Sequence, residues 1–528
     1  MEKINNKVQE IADLIEENYK IFFWIIFALA FALNIYKFGE IPEGLHVDEA
    51  GMAIDANYIA KYGVDRQLNK FPVYFINYGG GQNALYTYLT AILIKIFGKY
   101  NLVIIRIPAL ILSMIEVAVC YLLVQEFCSK KMALCFMFLI TIAPWHIMKS
   151  RWGLESYLFS PMQVISLYLL IKAIKADKHR LIKFFIAGLF YGITLYSYAI
   201  SYIVLPIFLL AFVIYLIVKK QVKIKEILIF ALPLIVLAIP LILLQMVQKD
   251  WIPEIHSFIT IPKLTSYRMG EINIKKFWQN WGTLKCGFLD DYLRYNSIRE
   301  FGTMYYFGTA LMVFGLIITI FKIKSIFKDK KLNLDVIMIL AFLANIFIAC
   351  VTDINTNKIN GIFIYATYFE LVALKFMFDY CKVVFALSNI VYVILFFAFS
   401  IYYFALTPKN YYRFFGNGVV DACQYVEKNY KDREIYGDMM QYAYYLYANP
   451  IPVQEFRNEA TFETTEIAKY ITGYGHFHSI TSKLIEDNID YDGVYITFYT
   501  DTCKLLEEKG FKEENKFRFY RVYTYDKN

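Results

Sequence analysis

Long apolar runs constrain this chain more than any other feature. Eleven of them, at 21–38, 102–125, 132–149, 156–176, 182–200, 202–218, 227–248, 304–321, 334–351, 361–378 and 383–405, approach the length a helix needs to cross a bilayer. Lipid offers no water to unpaired backbone groups, so runs of this kind are expected to be helices. Composition agrees, with 58% hydrophobic residues, 18% aromatic residues and a mean hydropathy of +0.42. The net charge of +8 is carried by short basic clusters between the runs. Such clusters signal membrane topology and argue against a nucleic-acid partner.

Counting the eleven runs as spans puts Lys130 and Lys131 on the side of the N-terminus. Lys172, Lys175, Lys178, Arg180 and Lys183, then Lys219, Lys220, Lys223 and Lys225, and finally Lys322, Lys324, Lys328, Lys330 and Lys331 fall there too. This is the positive-inside pattern, and it predicts a cytoplasmic N-terminus. Ala84 to Phe97 is too short to span and would invert every later cluster if it did; it is expected to be a helix in the membrane surface. Residues 1–20 place Ile4, Val8, Ile11 and Ile15 at helical spacing among charges, which predicts a cytoplasmic amphipathic helix. Residues 21–407 then form the transmembrane domain, with outer loops 39–101, 150–156, 249–303 and 352–360. Beyond 408 the composition turns polar. Alternation at 494–499 and 517–522 predicts strands, and 418–430 and 461–472 are expected to be helical. The expected fold is an α-helical polytopic membrane protein with about 11 transmembrane helices and a small α/β extracytoplasmic C-terminal domain, 408–528, in the cell membrane.

The residues with chemical potential gather in the outer loops. His46, Asp48 and Glu49 lie in Gly44-Leu45-His46-Val47-Asp48-Glu49-Ala50-Gly51, just after the first span. A carboxylate there is either solvated or a general base. Because neighbouring side chains point apart, Asp48 and Glu49 are expected to do different work. In the same loop, Tyr78-Gly79-Gly80-Gly81-Gln82-Asn83 combines a close-approach backbone with Tyr78, Gln82 and Asn83, groups suited to a sugar; a plain bend is the alternative. Arg151 and Glu155 come from the second loop, Arg268 from the third, and Asn357 and Lys358 from the fourth. Glu155 could equally be a helix-start acid, and Lys358 a snorkelling lysine. Glu116 and Glu370, inside runs, are expected to be paired or hydrogen-bonded structurally. The eight cysteines show no CxxC or Cys/His spacing, which gives no support to a zinc site or a disulfide scaffold. No cofactor is required; Asp48, Glu49 and Glu155 could hold a hard divalent cation, Mg or Mn.

Leu45-His46-Val47-Asp48-Glu49-Ala50 resembles the first acidic motif of integral-membrane glycosyltransferases with the C-type fold, and Arg151-Trp152-Gly153-Leu154-Glu155 resembles their second. Within that group the chain is similar to the protein O-mannosyltransferase and aminoarabinose-transferase superfamily, in its bacterial branch. Tyr78 to Tyr86 and Asn355 to Asn360 share the likeness. It implies transfer of a sugar from a polyprenyl-phosphate donor to an extracytoplasmic acceptor hydroxyl on protein, lipid or cell-wall glycan, by single displacement. It also implies Asp48 as catalytic base, with Glu49 and Glu155 around it. His46, Tyr78, Gln82, Asn83, Arg151, Arg268, Asn357 and Lys358 would bind substrate. Glu155 stands where relatives often have Asp, and Lys358 where many have Arg, which exchanges a bidentate fork for a point charge. The competing classes are a transporter or flippase of lipid-linked sugars and a non-catalytic polyprenyl-phosphate binder. A transporter would be expected to show midplane sites and internal repeats, and neither is visible here.

Overall fold

The computed structural model describes residues 2–77, 80–264, 272–289, 296–328, 331–407, 409–464 and 469–526. All eleven apolar runs are helical. Among the described residues seven helices are long and apolar enough to cross a membrane, or eight if the bent pair Glu2–Glu17 and Tyr19–Ile35 counts as one span. The other runs give shorter helices, and the sequence explains one break directly. Run 132–149 divides into Lys130–Ile142 and Pro144–Lys149, with Ala143 extended between them. Proline cannot donate to the preceding turn and disfavours a helical residue before it, yet it is well placed to start a new helix. Ala84–Phe97 is a 14-residue helix, matching the short element expected there.

The chain forms two compact units. The first contains residues 1–38, 109–239 and 270–407 and holds most of the apolar helices. At its N-terminus the first two helices meet at 88°. The Glu16 carboxylate accepts from the backbone N–H of Lys130 (3.1 Å) and Lys131 (2.7 Å), satisfying donors that the start of Lys130–Ile142 leaves open. The two intramembrane acids of this unit are paired, as expected. Glu116 bonds Lys149 at 2.6 Å and Ser160 at 2.5 Å, and Glu370 accepts from the Tyr392 hydroxyl.

The second unit contains residues 39–108, 240–269 and 408–528, so the first outer loop folds with the polar C-terminal region and the compact division differs from the expected cut at 407/408. Its sheet has seven strands in the spatial order Lys512–Phe517, Tyr520–Thr524, Val494–Thr497, Ile435–Asp438, Phe477–Ile480, Lys469–Tyr474 and Ala460–Thr464. Ile435–Asp438 pairs in parallel with both of its neighbours, and the outer pairs are antiparallel. Helix Val419–Tyr430 lies where a helix was expected. Two expectations are corrected. The stretch 461–472 pairs as strands rather than forming a helix; its Thr461, Phe462, Thr464, Tyr470, Ile471 and Thr472 suit a pleated surface. The stretch 517–522 is interrupted at Arg518, whose φ of 57° turns the chain between two strands.

Candidate functional site

In the second unit the first acidic motif opens helix Val47–Tyr62. His46 is its N-cap, with an extended backbone (φ −70°, ψ 149°), and its Nδ1 accepts from the Asp48 N–H at 3.2 Å. Glu49 reaches back to the His46 N–H at 3.0 Å, closing a capping box. Because Nδ1 accepts, a neutral His46 carries its proton on Nε2. The 3.5 Å approach of Nδ1 to the Asp48 carboxylate is therefore not a charged pair in that state.

The two neighbouring acids part as expected. The Glu49 side chain is 0% exposed and the Asp48 side chain 38%. Arg106, fully buried, donates to both oxygens of Glu49 at 2.8 and 3.0 Å, and to the Pro42 and Gly44 carbonyls at 2.9 and 2.8 Å. One guanidinium thus fixes the entry strand and the helix start together. Gly44 sits at φ +103°, and a Cβ there would lie 2.3 Å from the Phe415 carbonyl, so this entry is closed to other residues. The inner side of the helix (Ala50, Ile54 and Tyr58) packs in a core with Val419, Ala422, Tyr442 and Tyr445 of the C-terminal region.

A second buried cation supports the same helix. Arg66 bonds Asp55 through Nε (2.9 Å) and through Nη2 (2.7 Å), the Gly51 carbonyl at 2.5 Å and the Tyr442 hydroxyl at 2.9 Å. The glycine run forms a two-stranded hairpin, Tyr74–Asn77 with Gly80–Asn83. Gln82 is buried there and accepts from Asn77 at 3.4 Å, while Asn83 is the buried N-cap residue of Ala84–Phe97. Tyr78 and Arg268 lie outside the described residues. Close to the motif, a polar recess of about 580 Å³ is lined by Glu43, Asn417, Asp421, Lys516, Phe517, Arg518 and Phe519, with Arg518 and Glu43 paired at 3.1 Å.

In the first unit Arg151 is fully buried and is committed to the end of the first span. It donates to the carbonyls of Leu33 (2.8 Å), Asn34 (3.0 Å), Tyr36 (2.5 Å) and Lys37 (3.0 Å). Those acceptors include groups that helix Tyr19–Ile35 leaves open, and a cation is favoured at that pole. Arg151 was expected at the donor phosphate; these contacts give it a positioning role instead. Glu155 is half-buried in the first turn of the short helix Glu155–Leu158. Lys358 is half-buried in helix Thr356–Ile359; its Nζ lies 3.0 Å from Asp353 and 3.3 Å from the Thr352 hydroxyl. The Asn360 amide donates to the Ser156 carbonyl at 2.7 Å, which joins the turns that carry Glu155 and Lys358.

His46, Asp48 and Glu49 thus share one helix start, and Glu155, Asn357 and Lys358 share one pair of turns. Sequence reasoning missed Arg106 and Arg66. Arg106 carried a signal, since it is a charge inside an apolar run. Among the described residues no three His, Cys, Asp or Glu side chains form a metal-holding group. Glu49 does not fit as a ligand, because Arg106 takes both of its oxygens.

Residues 83–244 match the family of dolichyl-phosphate-mannose-protein mannosyltransferases. No curated protein matches the chain by sequence. Among solved structures, the apo form of ArnT from Cupriavidus metallidurans has 9% identity and a TM-score of 0.54, covering 96% of this chain and 97% of ArnT. ArnT bound to undecaprenyl phosphate matches with 10% identity, a TM-score of 0.53 and the same coverage. A family match over residues 83–244 and a fold shared over nearly the whole length place this membrane protein in the C-type-fold glycosyltransferase superfamily of the dolichyl-phosphate-mannose-protein mannosyltransferases and ArnT.

Proposed function

We propose that the protein moves a sugar, a hexose such as mannose, from a polyprenyl-phosphate donor to an extracytoplasmic acceptor hydroxyl by single displacement. One observation carries this reading: of the two acids in the first motif, Arg106 neutralises and buries Glu49, while Asp48 keeps an accessible carboxylate on a rigid helix start. A general base needs that combination of charge, reach and fixed position. Asp48 takes the acceptor proton as the hydroxyl oxygen bonds the anomeric carbon, and the bond to the phosphate breaks. Lys358 is assigned to the phosphate leaving group, where a cation stabilises developing charge. Glu49, Arg106 and Arg151 are positioning residues, and Glu155 shapes the turn next to Lys358. The undecaprenyl phosphate bound by ArnT supports the donor class. The N-terminus is assigned to the cytoplasm and the C-terminal domain to the outside.

No step is routed through a divalent cation; transfer measured with EDTA and then with added Mg²⁺ or Mn²⁺ gives its contribution directly. The test of the function is consumption of labelled undecaprenyl-phosphate sugars by membranes containing the protein, with the label appearing on an acceptor. If no donor in a broad panel is consumed, the enzyme reading fails and the transporter reading takes its place.

A further inference from the structure

Next to Glu155 and Lys358 the first unit holds an unusual concentration of unmet hydrogen-bonding capacity. Ser156 Oγ, Asn296 Nδ2, Asn357 Oδ1 and Asn360 Oδ1 are buried atoms with no hydrogen-bond partner among the described residues. The side chains of Ser156, Asn296 and Asn360 belong to residues only 1%, 4% and 3% exposed. Buried polar atoms in folded proteins are nearly always paired, so orphans clustered in one place need a cause.

They do not arise from loose placement. Asn296 is held at its other end, its Oδ1 accepting from the Tyr157 hydroxyl at 2.5 Å. Asn360 is held by its Nδ2, which donates to the Ser156 carbonyl at 2.7 Å and the Asn357 carbonyl at 3.0 Å. Each of these two amides is therefore anchored by one end and left unpaired at the other. The same bonds tie the turns around 156, 296 and 357–360 into one assembly. Gly361 lets the last turn approach a buried amide pair closely, since a Cβ there would lie 2.5 Å from Asn345 Oδ1 and 2.4 Å from Gln163 Nε2.

The chemistry of the orphans selects the ligand class. Two carbonyl oxygens can only accept, one amide nitrogen can only donate, and the serine hydroxyl can do either. An anion would face acceptor oxygens. A metal cation would face the Asn296 amide hydrogens and stand next to the Lys358 ammonium. A neutral ligand carrying several hydroxyls, each both donor and acceptor, satisfies the whole set.

We propose that Ser156, Asn296, Asn357 and Asn360 form a subsite that hydrogen-bonds the ring hydroxyls of the donor's sugar and sets which sugar is accepted. This rests on the glycosyltransferase reading above and adds its specificity-determining residues. A site built around hydroxyls discriminates strongly, because a ligand lacking one leaves its buried partner unpaired again.

The test uses purified full-length protein and two variants, Ser156→Ala and Asn357→Leu. Neither side chain makes a hydrogen bond among the described residues, so both variants are expected to fold, which thermal unfolding checks. Affinity is measured for bare undecaprenyl phosphate and for undecaprenyl phosphate carrying mannose, glucose, galactose or aminoarabinose. The expected result is a wild-type preference for one glycosylated lipid over the bare lipid. Each variant should reduce that preference roughly five- to tenfold, as for one lost hydrogen bond, with bare-lipid affinity unchanged. A preference that survives in both variants would show a cavity that holds only water and overturn the proposal. So would an equal loss of bare-lipid binding, or a wild type that binds bare lipid but prefers no sugar. A wild type that binds no lipid at all would instead sink the donor reading, and this subsite with it.

Discussion

Arg106 and Glu49 show how much one buried pair decides. Neither has an exposed side chain, and together they fix the backbone from Pro42 to Glu49. Breaking a buried pair by removing one partner costs about 3–5 kcal/mol, because the other charge stays buried and unpaired. Arg106→Met should therefore lower thermal stability by that order and abolish transfer. The double variant Arg106→Met/Glu49→Met should regain most of the stability and none of the activity; a double variant as unstable as the single would contradict the pairing. Asp65, in the same unit, gives a pH prediction. Burial, aided by the Asp55 charge, raises its carboxyl from 3.8 to about 7, against the opposing effect of hydrogen bonds from Asn69 and Gln67. Between those values the folded protein holds a proton that the unfolded chain has released. Stability should then fall as pH rises from 3.8 to about 7 and flatten above. Asp65→Asn keeps an acceptor and cannot titrate, so its thermal-unfolding profile should lose that slope; an unchanged slope would remove Asp65 from the explanation. The motif acids were legible from sequence as a pair with divided work. Their division was settled by Arg106, whose partner is 57 residues away and carries no local pattern.

At the scale of elements, the apolar runs were legible because burial in lipid imposes one pattern, continuous and helical. Where they broke, local chemistry decided, as at Pro144. In the polar C-terminal region the pattern is weaker. The 461–472 stretch mixes charges with β-branched and aromatic residues, and pairing with a neighbouring strand overrides its apparent helical character. Arg151 and Lys358 looked alike in sequence, as basic residues at outer mouths, and the structure separates them. Arg151 closes a helix end, and Lys358 sits on a half-buried turn with an acidic neighbour. Lys358→Gln should weaken undecaprenyl-phosphate binding by about 1.5–3 kcal/mol, the scale of a hydrogen bond to a charged group, with little change in thermal stability. Arg151→Gln should do the reverse, lowering the unfolding temperature first. Equal effects of the two variants on both measurements would contradict this assignment.

For the whole molecule, the basic clusters make orientation testable. Lys178 and Lys504 are exposed and lie on opposite sides in the assigned topology. In a functional background without other reactive cysteines, Lys504→Cys should be labelled in intact cells by a membrane-impermeant maleimide and Lys178→Cys only after lysis; the opposite pattern would invert the protein. The central claim is that Asp48 is the base that makes the protein an enzyme. The most direct measurement compares sugar transfer by purified wild type and Asp48→Asn, with undecaprenyl-phosphate binding measured on the same samples. Asparagine keeps the shape and removes the proton acceptor, so transfer should fall by about two to four orders of magnitude while lipid binding persists. Transfer by Asp48→Asn at the wild-type rate would contradict the mechanism.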